Sequence, residues 1–224
     1  MDADRRGARR IEVAGPAGSG KTTLIESLAT RLPVRFGVTA CNRSCIPLAL
    51  RLLPVLPAGY LVSELRHGRF PPETLRSMVY LELWIRESAN RWKEEPAHVL
   101  FDHGPFYRLA AIEEFGPPAS AGLRRWWESM RNAWSATMSL VIWLDAPDSM
   151  LLERIRSRDR AHPCKEMSDG DASAWLGRYR AGFESSLAVL QLSRPADLVR
   201  IDTSRQRPDE IAASLVDLIE THDG

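Results

Sequence analysis

Short apolar runs recur along the chain at Arg10–Ala14, Val34–Ala40, His98–Asp102, Leu140–Leu144 and Leu198–Ile201, each closed by a polar residue or glycine. Runs this short, with little apolar–polar alternation, predict strands buried on both faces. Longer stretches between them carry helical spacing: Lys21–Arg31, Pro72–Glu95, Asp148–Arg158, Asp171–Leu192 and Pro208–Glu220. Pro72 suits a first helical turn and Pro96 a stop, and a further helix carries Trp126, Met130 and Trp134 on one core-facing stripe. The excursion from Asn42 to Ala97 reads as helical and broken by prolines. Alternating strands and helices predict an α/β fold: a three-layer α/β/α sandwich around a five-stranded, mostly parallel sheet. Without an internal repeat or low-complexity linker, residues 1–224 read as a single domain.

Composition narrows the picture only a little. At 44% hydrophobic residues the chain can bury a substantial core, and a formal charge of +1 gives no general pull toward a nucleic acid polymer or an anionic membrane. Positive charge is local, at Arg5–Arg10 and Arg154–Arg160. The amino-terminal arginines precede no apolar segment, so they do not read as a secretory signal. "IPLALRLLPVLPAGYLV" is interrupted by Arg51, Pro54 and Pro57 and does not read as a membrane span. A cytoplasmic protein is expected. Cys41, Cys45 and Cys164 cannot all pair, which fits a reducing compartment. With His162 they match no tight zinc-ligand spacing and read as ordinary thiols.

The chemistry begins at "GPAGSGKT", Gly15 to Thr22, which fits G-x-x-x-x-G-K-[ST] between a strand and a helix. Glycines let successive N–H groups turn inward onto phosphate oxygens, and the helix behind adds its positive end. Gly15, Ala17, Gly18, Ser19 and Gly20 line such a cradle, with Thr23 beside it. Lys21 reaches the β- and γ-phosphates and Thr22 offers a hydroxyl to Mg²⁺. Asp102 closes the third strand at the edge where ligands of parallel sheets bind, as a metal ligand, a proton acceptor or only a loop cap. Asp145 and Asp148, entering a helix, read as caps. Arg154 and Arg158 lie four apart, with Arg160 and Lys165 beyond and Arg178 and Arg180 on the next helix. Guanidiniums this dense favour an anion between them, so residues 154–178 read as a helical lid over a phosphate.

Taken together these motifs resemble the nucleoside monophosphate kinase superfamily of P-loop kinases, its thymidylate-kinase-like branch in particular. "LERIRSR" resembles the opening of that family's lid, which implies Arg154 on the adenine side and Arg158 at the phosphates. "DGDASAWLGRY" resembles the returning arm and implies that Arg178 touches the second substrate's phosphates. "VTACNRSCIPLALRL" resembles the loop after strand two and implies that Arg43 holds an acceptor phosphate. "IDTSRQRPDEI" resembles the loop that closes over adenine, with Arg207 near the nucleotide. Where the family pairs an acid with an arginine after strand three, this chain has His103. His103, Tyr107, Arg108 and Arg160 complete the acceptor-side candidates.

The expectation is an ATP- and Mg²⁺-dependent phosphotransferase in which Lys21, Asp102 and Arg158 act on the reacting groups. Its acceptor is a nucleotide, a nucleoside or another small molecule, and a homodimer stays open. The alternative is a P-loop NTPase switch or a regulatory nucleotide-binding protein. "DHGP" only approximates the Asp-x-x-Gly of a GTPase switch, and no Asn-Lys-x-Asp guanine reader is present.

Overall fold

The strand β1 (Arg10–Ala14) lies at the centre of a five-stranded sheet of order β2-β3-β1-β4-β5. The architecture comes from a computed structural model that describes residues 9–37, 45–68, 72–90, 98–117, 120–193 and 198–221. β3 (His98–Asp102) and β4 (Leu140–Asp145) flank β1, while β2 (Val34–Phe36) and β5 (Leu198–Asp202) form the edges. All of these pairings are parallel. β1 and β3 keep the expected bounds, and β4 and β5 each run one residue further. β2 is shorter than expected, and residues 38–40 of the expected strand lie outside the described residues.

The side chains alternate between two cores. Ile11, Val13, Leu100 and Ile142 face α1 (Lys21–Ala29) and α9 (Pro208–Thr221), packing on Leu24, Leu28, Ile211 and Leu215. Ala14, Val99, Phe101, Val141 and Trp143 face the opposite layer. That layer holds α4 (Glu73–Asn90), α5 (Pro105–Phe115), α6 (Ala121–Thr137) and α8 (Asp169–Ser193). Trp84, Phe101 and Trp134 meet edge to face there, with ring centroids 5.1, 6.4 and 5.9 Å apart. Truncating any of them would cost roughly 3–5 kcal/mol. Trp134 is therefore core, as its stripe predicts, while Trp126 is partly buried and donates its indole N–H to Glu82 at 3.0 Å. Trp92 lies outside the described residues.

The excursion after β2 contains α2 (Ile46–Leu52), a 3-10 turn at Leu53–Val55 and α3 (Ala58–Arg66) before α4. α5 is a helix that the pattern does not predict: no expected element covers "PFYRLA", just past Asp102. Pro105 sits at its first turn, where a missing N–H costs nothing. Among the described residues no single helix is long and apolar enough to cross a membrane.

Two expectations change at the carboxyl end of β4. Asp145 and Asp148 do not cap α7 (Asp148–Arg156), whose N-cap is Pro147 without a side-chain hydrogen bond. They accept instead from Arg180, whose Nε and Nη2 reach Asp145 at 2.8 and 2.9 Å and whose Nη1 reaches Asp148 at 2.6 Å. A forked guanidinium satisfies several carboxylate oxygens at once, so it outcompetes a single capping bond. Second, α7 ends at Arg156, so Arg158 lies beyond the helix rather than on a face with Arg154. The expected lid is helical in its arms, α7 and α8, with one 3-10 turn at Pro163–Lys165 between them.

Candidate active site

β1 runs straight into the glycine-rich loop, and the loop's shape is set by close approaches. Gly15 has φ +147° and a Cβ there would lie 2.1 Å from the Leu144 carbonyl oxygen. Gly18 has φ +85° and a Cβ would meet the Leu151 carbonyl at 2.7 Å. Both positions demand glycine for space and for backbone conformation. The loop thus packs on the end of β4 and on α7. Ser19 is buried with its hydroxyl unpartnered among the described residues. Lys21 folds over the loop, donating from Nζ to the carbonyls of Gly15 at 2.8 Å and Pro16 at 2.9 Å.

Above the loop is a cavity of about 220 Å³. One wall is the loop itself, with Ala17, Gly18, Gly20, Lys21 and Thr22. His103, from the β3–α5 turn, and Tyr107, from the first turn of α5, form the second wall. Arg158, Arg160 and His162 come from the connection between α7 and α8, and Trp175 and Tyr179 from α8 itself. The tip residues therefore converge on the phosphate loop although they follow it by about 140 positions.

The electrostatics are those of a crowded cationic pocket. Burial lowers the Lys21 ammonium to about 8, Arg158 and Arg160 push the same way, and Asp102 opposes them. The Asp102 carboxyl is held below its ordinary value, chiefly by the adjacent His103 ring, whose Nδ1 is 3.1 Å from Oδ1. His103 has φ +53°, a conformation uncommon outside glycine. Its ring stands edge-on to Tyr107, with centroids 4.4 Å apart. His162 is lowered by burial and then by the positive charges of Lys21, Arg160 and Arg158. Tyr179 stacks on Trp175 at 6.0 Å, and burial raises its phenol well above the usual range. The Tyr179 hydroxyl is buried and has no partner among the described residues.

A second cavity of about 240 Å³ lies beyond the loop, lined by Gly18, Ser19, Gly20, Thr23, Arg154, Arg158, Thr203 and Gln206. Arg154 braces it. Its Nη1 donates to the Gly18 carbonyl at 3.3 Å and to Thr203 Oγ1 at 3.1 Å, and its Nη2 donates to the Thr203 carbonyl at 3.1 Å.

Other candidates stand elsewhere. Arg108 donates to Ser77 Oγ at 3.1 Å and lies over the rings of Tyr80 and Trp84, at 4.7 and 5.4 Å. It lines neither cavity, because stacking on α4 draws it into the core layer. Arg178 faces Glu114 at 3.3 Å and also lines neither cavity. Arg207 is exposed, and its neighbour Gln206 rather than Arg207 reaches the second cavity. Arg43, like Cys41, lies outside the described residues. Cys45 and Cys164 are buried free thiols in separate core clusters.

The sequence raises His162 only as a zinc ligand, a reading set aside on spacing, and gives no signal for Trp175 or Tyr179 beyond their residue types. Glu12 was missed as well, although it had a local signal, as the lone charge inside the "IEVA" run of a buried strand.

No protein-family model matches the chain, and no curated protein matches it in sequence. Solved structures do resemble it. Thymidylate kinase from Candida albicans superposes with a TM-score of 0.56 at 13% identity, covering 96% of this chain and 92% of that one. Shikimate kinase from Acinetobacter baumannii, in complex with shikimate, gives a TM-score of 0.47 at 15% identity over 96% and 94%. The expected thymidylate-kinase-like architecture is therefore found, as a likeness of fold.

Proposed function

We propose that this protein is an ATP- and Mg²⁺-dependent phosphotransferase that moves the γ-phosphate to a small-molecule acceptor, a nucleotide, a nucleoside or another alcohol. One observation carries the reading. A single cavity joins the phosphate-loop residues Lys21 and Thr22 to the His103–Tyr107 wall and to Arg158 and Arg160. A nucleotide-only site needs no second wall of this kind. The shared fold with a thymidylate kinase supports it.

The residues suit the nucleotide and the metal. Glycines at the two closest approaches let the loop pack against Leu144 and Leu151, and the unpartnered Ser19 hydroxyl is left to bond a ligand. Bound phosphates would replace the Gly15 and Pro16 carbonyls as partners of Lys21. Thr22 and Asp102 would hold Mg²⁺. Among the described residues no three His, Cys, Asp or Glu side chains cluster as a metal cage, so phosphate oxygens and water would complete the ligand set. When bound, the ion neutralises charge on the β- and γ-phosphates.

The chain's own groups then divide the work. Arg154 braces the nucleotide side, and Arg158, shared by both cavities, meets charge on the transferring group. Asp102, kept ionised by His103, orients the acceptor hydroxyl or accepts its proton. Tyr107, Trp175 and Tyr179 give the acceptor an aromatic wall, and the unpartnered Tyr179 hydroxyl offers it a hydrogen bond. The α7–α8 connection, closing as a lid, excludes water so that phosphate passes to the acceptor.

The test is a panel of nucleotides, nucleosides and small alcohols scored for acceptor-dependent ADP release. At least one acceptor should raise release well above background. Release that no acceptor changes would favour an NTPase switch instead.

A further inference from the structure

Beyond Arg10 at its start, β1 carries one charged residue, Glu12, and Glu12 is fully buried at 0% exposure. A carboxylate in the central strand of a sheet is costly unless its oxygens are satisfied. Here both are. Oε2 accepts from the Phe106 backbone N–H and Oε1 from that of Tyr107, each at 2.8 Å. These are first-turn amides of α5, which have no partner within their own helix.

A helix usually meets that need locally, with Ser, Thr, Asp or Asn at the N-cap. α5 has Gly104 there, with no side-chain cap. A Cβ on Gly104 would lie 2.7 Å from Glu12 Cδ, so the turn packs directly on the carboxylate. The clamp comes from a residue 94 positions away, on the strand that becomes the phosphate loop three residues later. The clamped turn follows directly on Asp102, the last residue of β3, and carries the left-handed His103 and Tyr107 into the cavity. The charged and titratable groups nearest Glu12 are Asp102, Arg108, Tyr107 and Tyr179. Burial raises Glu12 to about 7, and the two amides and Arg108 pull it back down.

We propose that Glu12 is a positioning residue: a bracket that fixes the Asp102–Tyr107 turn, and with it the acceptor wall, to the strand that carries the phosphate loop. The catalytic part of this proposal rests on the phosphotransferase reading. Glu12 touches no reacting group. It acts by holding the Asp102 carboxylate and the Tyr107 ring at a set distance from the donor phosphates.

The test uses the full chain and Glu12→Gln. Glutamine keeps the shape, but its NH₂ turns toward one of the two amide donors and one bond is lost. The expected result is a kcat lower by about tenfold or more with the KM for ATP within about twofold. Hydrogen exchange at the Phe106 and Tyr107 amides should quicken about tenfold while β1 amides stay protected. Leu215→Ala, in the α9 core on the far face, serves as the stability control and should keep kcat when assayed folded. If Glu12→Gln does not fold, Gly104→Ala presses a methyl on the same carboxylate and should reproduce the kcat loss. A Glu12→Gln enzyme with wild-type kcat, or with unchanged exchange at both amides, would overturn the proposal. A wild type that transfers phosphate to nothing would sink the phosphotransferase reading, and the exchange measurement would then decide the bracket alone.

Discussion

The two walls of the cavity are built in opposite ways. The wall proposed to hold the donor is one contiguous stretch, Gly15 to Thr22, whose shape follows from its own glycines and from the strand and helix on either side. The wall proposed to hold the acceptor is gathered from the β3–α5 turn, the start of α5, the α7–α8 connection and α8, and no short stretch of sequence contains it. A contiguous wall stands or falls on local residues. A gathered wall depends on tertiary brackets such as Glu12 to α5 and Arg180 to Asp145 and Asp148. Damage to the first should therefore abolish nucleotide handling, and damage to the second should spare the nucleotide and spoil transfer.

The sharpest break is Lys21→Ala. Removing the ammonium above the loop should cut both nucleotide affinity and phosphate transfer, with transfer falling on the order of 100-fold or more while the circular dichroism spectrum stays native. Retained nucleotide affinity in a folded variant would detach Lys21 from the donor wall. Asp102→Asn tests the other side. Transfer should again fall on the order of 100-fold, yet nucleotide affinity measured by calorimetry should change by less than about threefold. Equal losses in both would mean that Asp102 belongs to the donor wall through the metal alone.

The Glu12 bracket has its own pH signature. Its folded value of about 7 lies above the ordinary 4.5, so folding favours the neutral form. The stability that this contributes is full below about 4.5 and is lost as pH rises through about 7. Between those limits the wild type should lose about 3 kcal/mol relative to Glu12→Gln, which has nothing to titrate there. Urea unfolding of both proteins at pH 4.5 and pH 8 checks the sign. A wild type that gains on the variant over this range would mean that Glu12 is bound more tightly as a carboxylate than burial allows.

How far the sequence went follows the same division. The strands, the phosphate loop and most helices were legible because each rests on a local signal: a buried apolar run, glycines before a lysine, a proline at a helix start. α5 was not, since Gly104 hides the N-cap that normally announces a helix, and the true cap is Glu12 in a distant strand. Arg108 looked like an acceptor ligand through its place just past Asp102, and Arg178 through the resemblance of the returning arm. Stacking on Tyr80 and Trp84 drew the first away, and Glu114 faces the second. Trp175 and Tyr179 looked like ordinary helix residues, and only the path of the α7–α8 connection brings them to the cavity.

Two smaller effects would refine the acceptor wall. Tyr179→Phe removes a buried, unpartnered hydroxyl and should raise the acceptor KM by about five- to tenfold, the worth of one hydrogen bond, with the KM for ATP unmoved. Arg178→Ala should change kcat and both KM values by less than about twofold, because its half-exposed ion pair with Glu114 lies outside the cavity. A large acceptor effect at Arg178 would require the α8 arm to turn when substrate binds.

The central claim is that the γ-phosphate is handed to an organic acceptor. The direct measurement follows the fate of γ-labelled ATP, with Mg²⁺ and the best acceptor from the panel, as the label partitions between the phosphorylated acceptor and inorganic phosphate. The wild type should place most of the label on the acceptor, and Asp102→Asn should remove that product. Label found only in inorganic phosphate, at a rate indifferent to every acceptor, would contradict the account.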